Sequence, residues 1–258
     1  MPQVNPPERL VFKSKPLVGI MAEQYFDLAT PEHFWCKRRF QVLQRLAGER
    51  LQAAHNVAEI GCGNGVLQRQ LEDAYNLAPA GFDLHEQALR QSLARRGRIY
   101  CYDIHDRAEE FRGVFDLLFM FDVLEHIADE DAFLASARFH LARHGSIIIN
   151  VPALQWLFSE YDRIQGHQRR YSLATMEDVA RRNGFQLSAL TYWGGPLVSI
   201  AALRKVTLAV GKKHLDVYST GFDPRGELMN KCLYRFSRLE LLPQHVMGTS
   251  VMAVLDSG

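Results

Sequence analysis

Between about His55 and Pro152 short apolar runs alternate with amphipathic helical stretches, and this rhythm confines the chain to the α/β class with a parallel sheet. The runs fall at residues 56–60, 79–82, 98–101, 115–120 and 146–150. The last two are unbroken apolar stretches, the composition of strands covered on both faces. Ser172 is placed to cap a helix whose apolar positions Leu173, Met176, Val179 and Ala180 share one face, and Gly184 stands where that helix should stop. A strand leading to Tyr192 and a last one at residues 250–255 complete the expected fold: a Rossmann-like, doubly wound, mostly parallel seven-stranded sheet.

Two segments stand outside the rhythm. In residues 1–54, Phe34, Trp35, Phe40, Leu43 and Leu46 form a helical stripe, read as a helical cap packed on the sheet. Residues 194–247 carry two apolar helical stretches, one of them marked by Leu228, Met229, Cys232, Leu233, Phe236 and Leu239. The 258 residues therefore read as a single domain: cap (1–54), core (55–193), helical insertion (194–247) and final strand (248–258).

A formal charge of +1 argues against nucleic-acid binding, which needs a concentrated basic face. Cys36, Cys62, Cys101 and Cys232 are scattered, with no CxxC spacing, and residues 1–16 are polar with no apolar core. Reduced thiols and a cytoplasmic location are expected. The longest apolar stretch, residues 195–211, is interrupted by Arg204 and Lys205 and is short for a membrane span.

The sharpest local signal is Val57-Ala58-Glu59-Ile60-Gly61-Cys62-Gly63-Asn64-Gly65: a strand ending in an acid, then three glycines at alternate positions. Such a turn lets a ligand approach the backbone closely, and the helix after it offers its N-terminal N–H groups. The dinucleotide spacing G-x-G-x-x-G fails because position 66 is Val66, and no Gly-Lys-Ser/Thr follows to make a P-loop. An acid at this strand end suits a ligand carrying an ammonium group and a ribose better than a pyrophosphate.

This segment resembles motif I of class I S-adenosylmethionine-dependent methyltransferases. Further residues fall where that family needs them. Asp83 follows the second strand and matches the carboxylate that accepts from the ribose hydroxyls; Asp103 follows the third and matches the residue that meets the adenine amino group. Phe121-Asp122-Val123-Leu124-Glu125-His126-Ile127 is similar to the family's segment after the fourth strand, beside the methionine part of the cofactor. The cofactor-binding set implied by the resemblance is Glu59, Gly61, Cys62, Gly63, Gly65, Asp83, Leu84, Asp103, Ile104 and Asp122, holding S-adenosylmethionine and, after reaction, S-adenosylhomocysteine.

Methyl transfer from a sulfonium is an in-line displacement in which the protein positions the reactants, and a base is needed only when the nucleophile carries a proton to be lost. His126 is the first candidate, on a helix expected to begin near Asp122. A second cluster, Gly166-His167-Gln168-Arg169-Arg170-Tyr171, resembles a Gly-His-x-Arg-Arg-Tyr segment of a subgroup of these enzymes. It adds His167 and Tyr171 as catalytic candidates and Arg169 and Arg170 as substrate contacts. Tyr25 and Trp35, the latter in a His-Phe-Trp-x-x-Arg-Arg stretch similar to one in the same subgroup, are candidates for a lid over the ligands, with core packing the competing reading. Asp122, Glu125 and His126 have ligand-like spacing but no accompanying His or Cys pair, so no metal is expected.

No Asn/Asp-Pro-Pro-Tyr segment and no Pro-Cys nucleophile follow the fourth strand, which disfavours nucleobase substrates. Residues 195–258 carry eight Lys and Arg against five Asp and Glu, a net +3, on an apolar insertion that could roof a pocket, contact a membrane surface peripherally or form a homodimer face. The expected function is methylation of a small molecule, foremost at oxygen on a hydrophobic, lipid-linked or natural-product acceptor. Carbon or nitrogen methylation, transfer of another group from a related cofactor, and a non-catalytic cofactor-binding module remain alternatives.

Overall fold

The computed structural model describes residues 9–17, 29–210, 224 and 226–258. Its centre is an eight-stranded sheet built from β1 (Leu10–Phe12), β2 (Val57–Ile60), β3 (Ala80–Asp83), β4 (Ile99–Cys101), β5 (Phe115–Phe121), β6 (Leu141–Pro152), β7 (Gln186–Trp193) and β8 (Ser250–Asp256). The spatial order is β1-β4-β3-β2-β5-β6-β8-β7. All neighbours from β1 to β6 run parallel, while β8 is antiparallel to both β6 and β7.

The count exceeds the expected seven by β1, which lies where a helical cap was anticipated. Its three residues pair with β4 alone, Leu10 opposite Ile99 and Phe12 opposite Cys101. An edge strand this short has no room for a detectable alternation, and its neighbours in sequence are polar.

Helices cover both faces: α1 (Phe34–Ala53), α2 (Val66–Tyr75), α3 (Glu86–Arg90), α4 (Glu130–His140), α5 (Glu160–Ile164), α6 (Leu173–Arg182), α7 (Val198–Val210) and α8 (Glu227–Ser237). Strand β5 shows why the sheet needs two covers. Leu117, Phe119 and Phe121 pack with Val42, Leu43 and Leu51 of α1 and Leu67 and Leu71 of α2, whereas Leu118 and Met120 pack with Leu134 of α4 and Met176 and Val179 of α6. Of the anticipated α1 stripe, Phe34 and Leu43 are buried; the deepest positions include Val42, Ala47 and Leu51. Helix α6 begins at its Ser172 cap as expected.

The order of strands reverses at β2. The chain steps outward through β3 and β4 on one side, then returns to lay β5 and β6 on the other. A crevice opens at the carboxyl ends of β2 and β5, the place where open α/β sheets bind ligands. Among the described residues no helix is long and apolar enough to cross a membrane.

Leu118 is fully buried and Leu241 is 88% exposed. We expect Leu118→Ala to lower the unfolding free energy in urea by about 2–5 kcal/mol, and Leu241→Ala to change it by less than about 0.5 kcal/mol. Equal effects would contradict the packing described.

Candidate active site

The glycine turn follows β2. Gly61 and Gly63 have φ of +73° and +51°, a region side chains avoid, and a Cβ on Gly61 would come within 2.3 Å of Val123 Cγ2. The backbone N–H of Gly63 donates to Asp83 Oδ2 at 2.7 Å, and that of His85 donates to Oδ1 at 2.8 Å, so the end of β3 fixes the turn after β2. Burial raises the Asp83 carboxyl against these hydrogen bonds. Gly65 caps α2 in the left-handed region and does not line the cavity.

Glu59, buried at the end of β2, accepts the backbone N–H of Gln68 in the first turn of α2, while its Oε2 has no hydrogen-bond partner. Burial pushes its carboxyl up to about 8, partly opposed by Arg39. Asp103 accepts from the backbone N–H of His105 at 2.9 Å, and its own N–H donates to Ser14 Oγ at 2.8 Å, a contact that β1 brings into place. Glu59, Asp83 and Asp103, with Cys62, Leu84 and Ile104 between them, line one end of a cavity of about 720 Å³. Burial holds the Cys62 thiol well above its usual range, which keeps it un-ionised.

After β5 the chain does not enter a regular helix. Asp122 adopts φ +58° and is followed by a single 3₁₀ turn, Leu124–His126. The Asp122 carboxylate is clamped by Arg39 of α1 at 2.5 Å and by Asn150 of β6 at 2.7 Å. Asn150 in turn accepts Trp193 Nε1–H at 2.8 Å, and the Trp193 ring packs on Trp35 at 4.4 Å between centroids. Trp35 is thus both a cavity wall and a packing residue. Arg39, which the sequence reading passed over, is central to the site; its signal was an arginine in a helix stripe that otherwise turns inward.

The opposite end of the cavity contains Glu125, His126, His167 and Arg170. The His126 and His167 rings meet edge to face at 4.8 Å, and burial together with His167 pushes His126 down to about 4, so its imidazole is neutral near pH 7. His167 Nδ1 lies 3.0 Å from Asp162 Oδ1. Burial would raise the Asp162 carboxyl, but hydrogen bonds from His167 and Arg170 and the charge of Arg170 hold it well below the carboxylate range. The Arg170 guanidinium is committed to Asp162, at 2.7 and 3.1 Å, and to the Ala153 carbonyl.

Two expected site residues point elsewhere. The Tyr171 hydroxyl bonds the Glu130 carboxylate and lies 3.2 Å from the Leu124 carbonyl oxygen, and burial with Glu130 pushes it further from ionisation. Arg169 pairs with the same Glu130 at 3.1 Å and with the Ala128 carbonyl at 3.2 Å. Neither lines the cavity; both fasten the loop after β6 to α4, because Glu130 is a buried acid that needs them. Tyr25 lies outside the described residues.

The insertion closes this end. Leu197, Ile200, Ala201 and Arg204 of the α7 region and Met229 and Leu233 of α8 line the cavity. Asn230 of α8 accepts the backbone N–H of Phe34 at 2.7 Å, and Arg38 of α1 pairs with Glu240 at 2.9 Å, so roof and cap are joined by buried polar contacts.

The model of a family described as a methyltransferase domain matches residues 29–190. The chain belongs to this family. With the glycine turn, Asp83 and Asp103 assembled at the strand ends, it is a class I S-adenosylmethionine-dependent methyltransferase. A search of curated proteins finds no match. Similar solved structures include a S-adenosylmethionine-dependent methyltransferase from Archaeoglobus fulgidus, with TM-score 0.54 and 16% identity over 91% of this chain and 97% of that one. Phosphoethanolamine N-methyltransferase 2 of Haemonchus contortus, in complex with S-adenosylmethionine, gives 0.55 and 19% over 85% of this chain and 52% of that one. The plantazolicin methyltransferase BpumL, in complex with S-adenosylhomocysteine, gives 0.55 and 12% over 90% and 87%.

The buried Glu59 has a consequence for stability. Between about 4.5 and about 8 the folded protein keeps a proton that the unfolded chain releases, so stability contributed at low pH is lost as pH rises through this window. Gln at this position cannot titrate. We expect the melting temperature of Glu59→Gln, relative to the parent, to climb between pH 5 and pH 8; a constant or falling difference would show that Glu59 is ionised in the fold.

Proposed function

We propose that this chain transfers the methyl group of S-adenosylmethionine to an oxygen atom of an apolar small molecule or lipid-linked acceptor. The cofactor supplies a methyl carbon made electrophilic by its sulfonium. This end of the cavity suits that cation: Glu59 offers a buried oxygen without a partner, ionising against the ammonium group when the cofactor binds, and Asp83 and Asp103 are the proposed partners of the ribose and adenine. Arg39 also lines the cavity, and its pairing with Asp122 offsets its charge beside Glu59 and Asp83.

The acceptor end is where the reading becomes specific. A bond forms from the acceptor oxygen to the methyl carbon as the sulfur–carbon bond breaks and its electron pair stays on sulfur in S-adenosylhomocysteine, while the acceptor's proton passes by way of the histidine cluster to solvent. The observation that carries the oxygen assignment is the cluster at this end: neutral His126, and His167 held by the charged Asp162 with its other nitrogen directed toward Glu125, at 3.9 Å. An acceptor amine that arrives unprotonated needs no such apparatus to become a nucleophile.

Leu197, Ile200, Ala201, Met229 and Leu233 make the remaining wall apolar, and Leu203 and Val206 of α7 are 65% and 58% exposed on the same helix. That continuity supports an acceptor delivered from an apolar phase and peripheral contact of the insertion with a membrane surface.

In calorimetry, we expect S-adenosylhomocysteine to bind with micromolar affinity and Gly63→Val to weaken it at least ~100-fold, since valine is strained at a positive φ. With ¹³C-methyl-labelled cofactor and an extract of the source cells, label should enter the organic phase with the carbon shift of an O-methyl group. His167→Ala should slow this labelling ~100-fold or more without changing S-adenosylhomocysteine affinity. A water-soluble N-methyl product would overturn the acceptor assignment.

A further inference from the structure

Glu125 has no exposure, and neither of its carboxyl oxygens has a hydrogen-bond partner among the described residues. A buried acid with both oxygens orphaned marks a place where something binds. The groups facing it are imidazoles. His167 Nε2 is 3.9 Å from Glu125 Oε1, and His126 stands against the His167 ring. One ligand atom from each of Glu125, His126 and His167 lies within 4.8 Å of the other two, and all three residues line the cavity.

The supporting shell has the form that metal-bound histidines require. His167 Nδ1 is bonded to Asp162, itself held by Arg170 at 2.7 Å, so a proton on Nδ1 leaves the Nε2 lone pair aimed at Glu125. The backbone of Gly166 holds His126 by a hydrogen bond. Two imidazoles and one carboxylate, with the cavity on the open side, form a donor set for first-row transition-metal cations.

We propose that Glu125, His126 and His167 bind one divalent transition-metal cation, zinc being the reference ion, with its free coordination position turned toward the acceptor. Bonds of about 2.0–2.2 Å require the three side chains to rotate inward from their 4.8 Å span, which the cavity leaves room for. The use of such a cation rests on the proposed oxygen acceptor, whose atom would take the free position; the binding of the cation does not. The sequence spacing concealed the site, because its third ligand comes from the loop after β6, 41 residues beyond His126.

The test is metal binding by the full chain after stripping with a chelator and dialysis. Zinc chloride titrated in a calorimeter should fill one site per chain, and cobalt chloride should give ligand-field bands of a mixed nitrogen and oxygen site. Glu125→Gln and His167→Ala should each weaken zinc at least ~100-fold and abolish the cobalt bands, and Asp162→Asn should weaken zinc ~10–100-fold. The thermal shift given by S-adenosylhomocysteine reports that each variant is folded, and His126→Ala provides a third independent ligand deletion. No saturable zinc binding by the parent, or equal binding by the parent and the ligand variants, overturns the site. Failure of the parent to bind S-adenosylhomocysteine would instead strike at the proposed function, and the zinc titration would still decide the cation site.

Discussion

The Asp122 carboxylate holds the ligand end of this fold together. It sits at the carboxyl end of β5 on a left-handed residue, beside the point where strand order reverses, and accepts from Arg39 and Asn150 on two different elements. Asn150 passes the connection to Trp193, whose ring meets Trp35 of α1. One acid thereby ties the cap helix, β5, β6 and β7. Removing it would take from Arg39, 7% exposed at its side chain, the carboxylate that balances its buried charge, a larger penalty than the loss of a surface pair.

The division of the cavity follows from this clamp. Toward β2 and β3 the cavity is lined by the carboxyls of Glu59 and Asp83, while toward the loop after β6 Asp162 is paired with Arg170 and Glu125 stands beside His126 and His167. Each end thus keeps a buried carboxyl oxygen without a hydrogen-bond partner among the described residues, Glu59 at one and Glu125 at the other. The loop Gly166–Tyr171 serves this arrangement twice: His167 enters the cavity, while Arg169 and Tyr171 anchor the loop from behind.

The sheet core was legible because buried parallel strands must be continuously apolar; β2 and β5 fall within a residue of the runs read from the sequence. The glycine turn after β2 was legible for a similar reason, since a positive φ at Gly61 and Gly63 leaves glycine little competition. Strand β1 was not, being three residues on an edge. Nor could spacing separate His167 from Tyr171: both lie in one polar run, and which side chain faces the cavity depends on Glu130 and Asp162, partners chosen by tertiary packing. Arg39 and Glu125 were hidden by the same logic, as charged residues whose burial no local pattern announces.

Glu240 accepts from Arg38 and from the backbone N–H groups of Gly194 and Gly195, at 2.9 Å each, and Asn230 takes the first N–H of α1. The insertion and the cap helix are thus joined to one another at the rim of the cavity. Lifting the insertion alone would leave Glu240 its two glycine N–H groups but part it from Arg38, and would part Asn230 from the first N–H of α1, so the economical opening moves both together. On the proposed assignment of the two ends, departure of the methylated product and exchange of the spent cofactor then share one opening step rather than two independent ones.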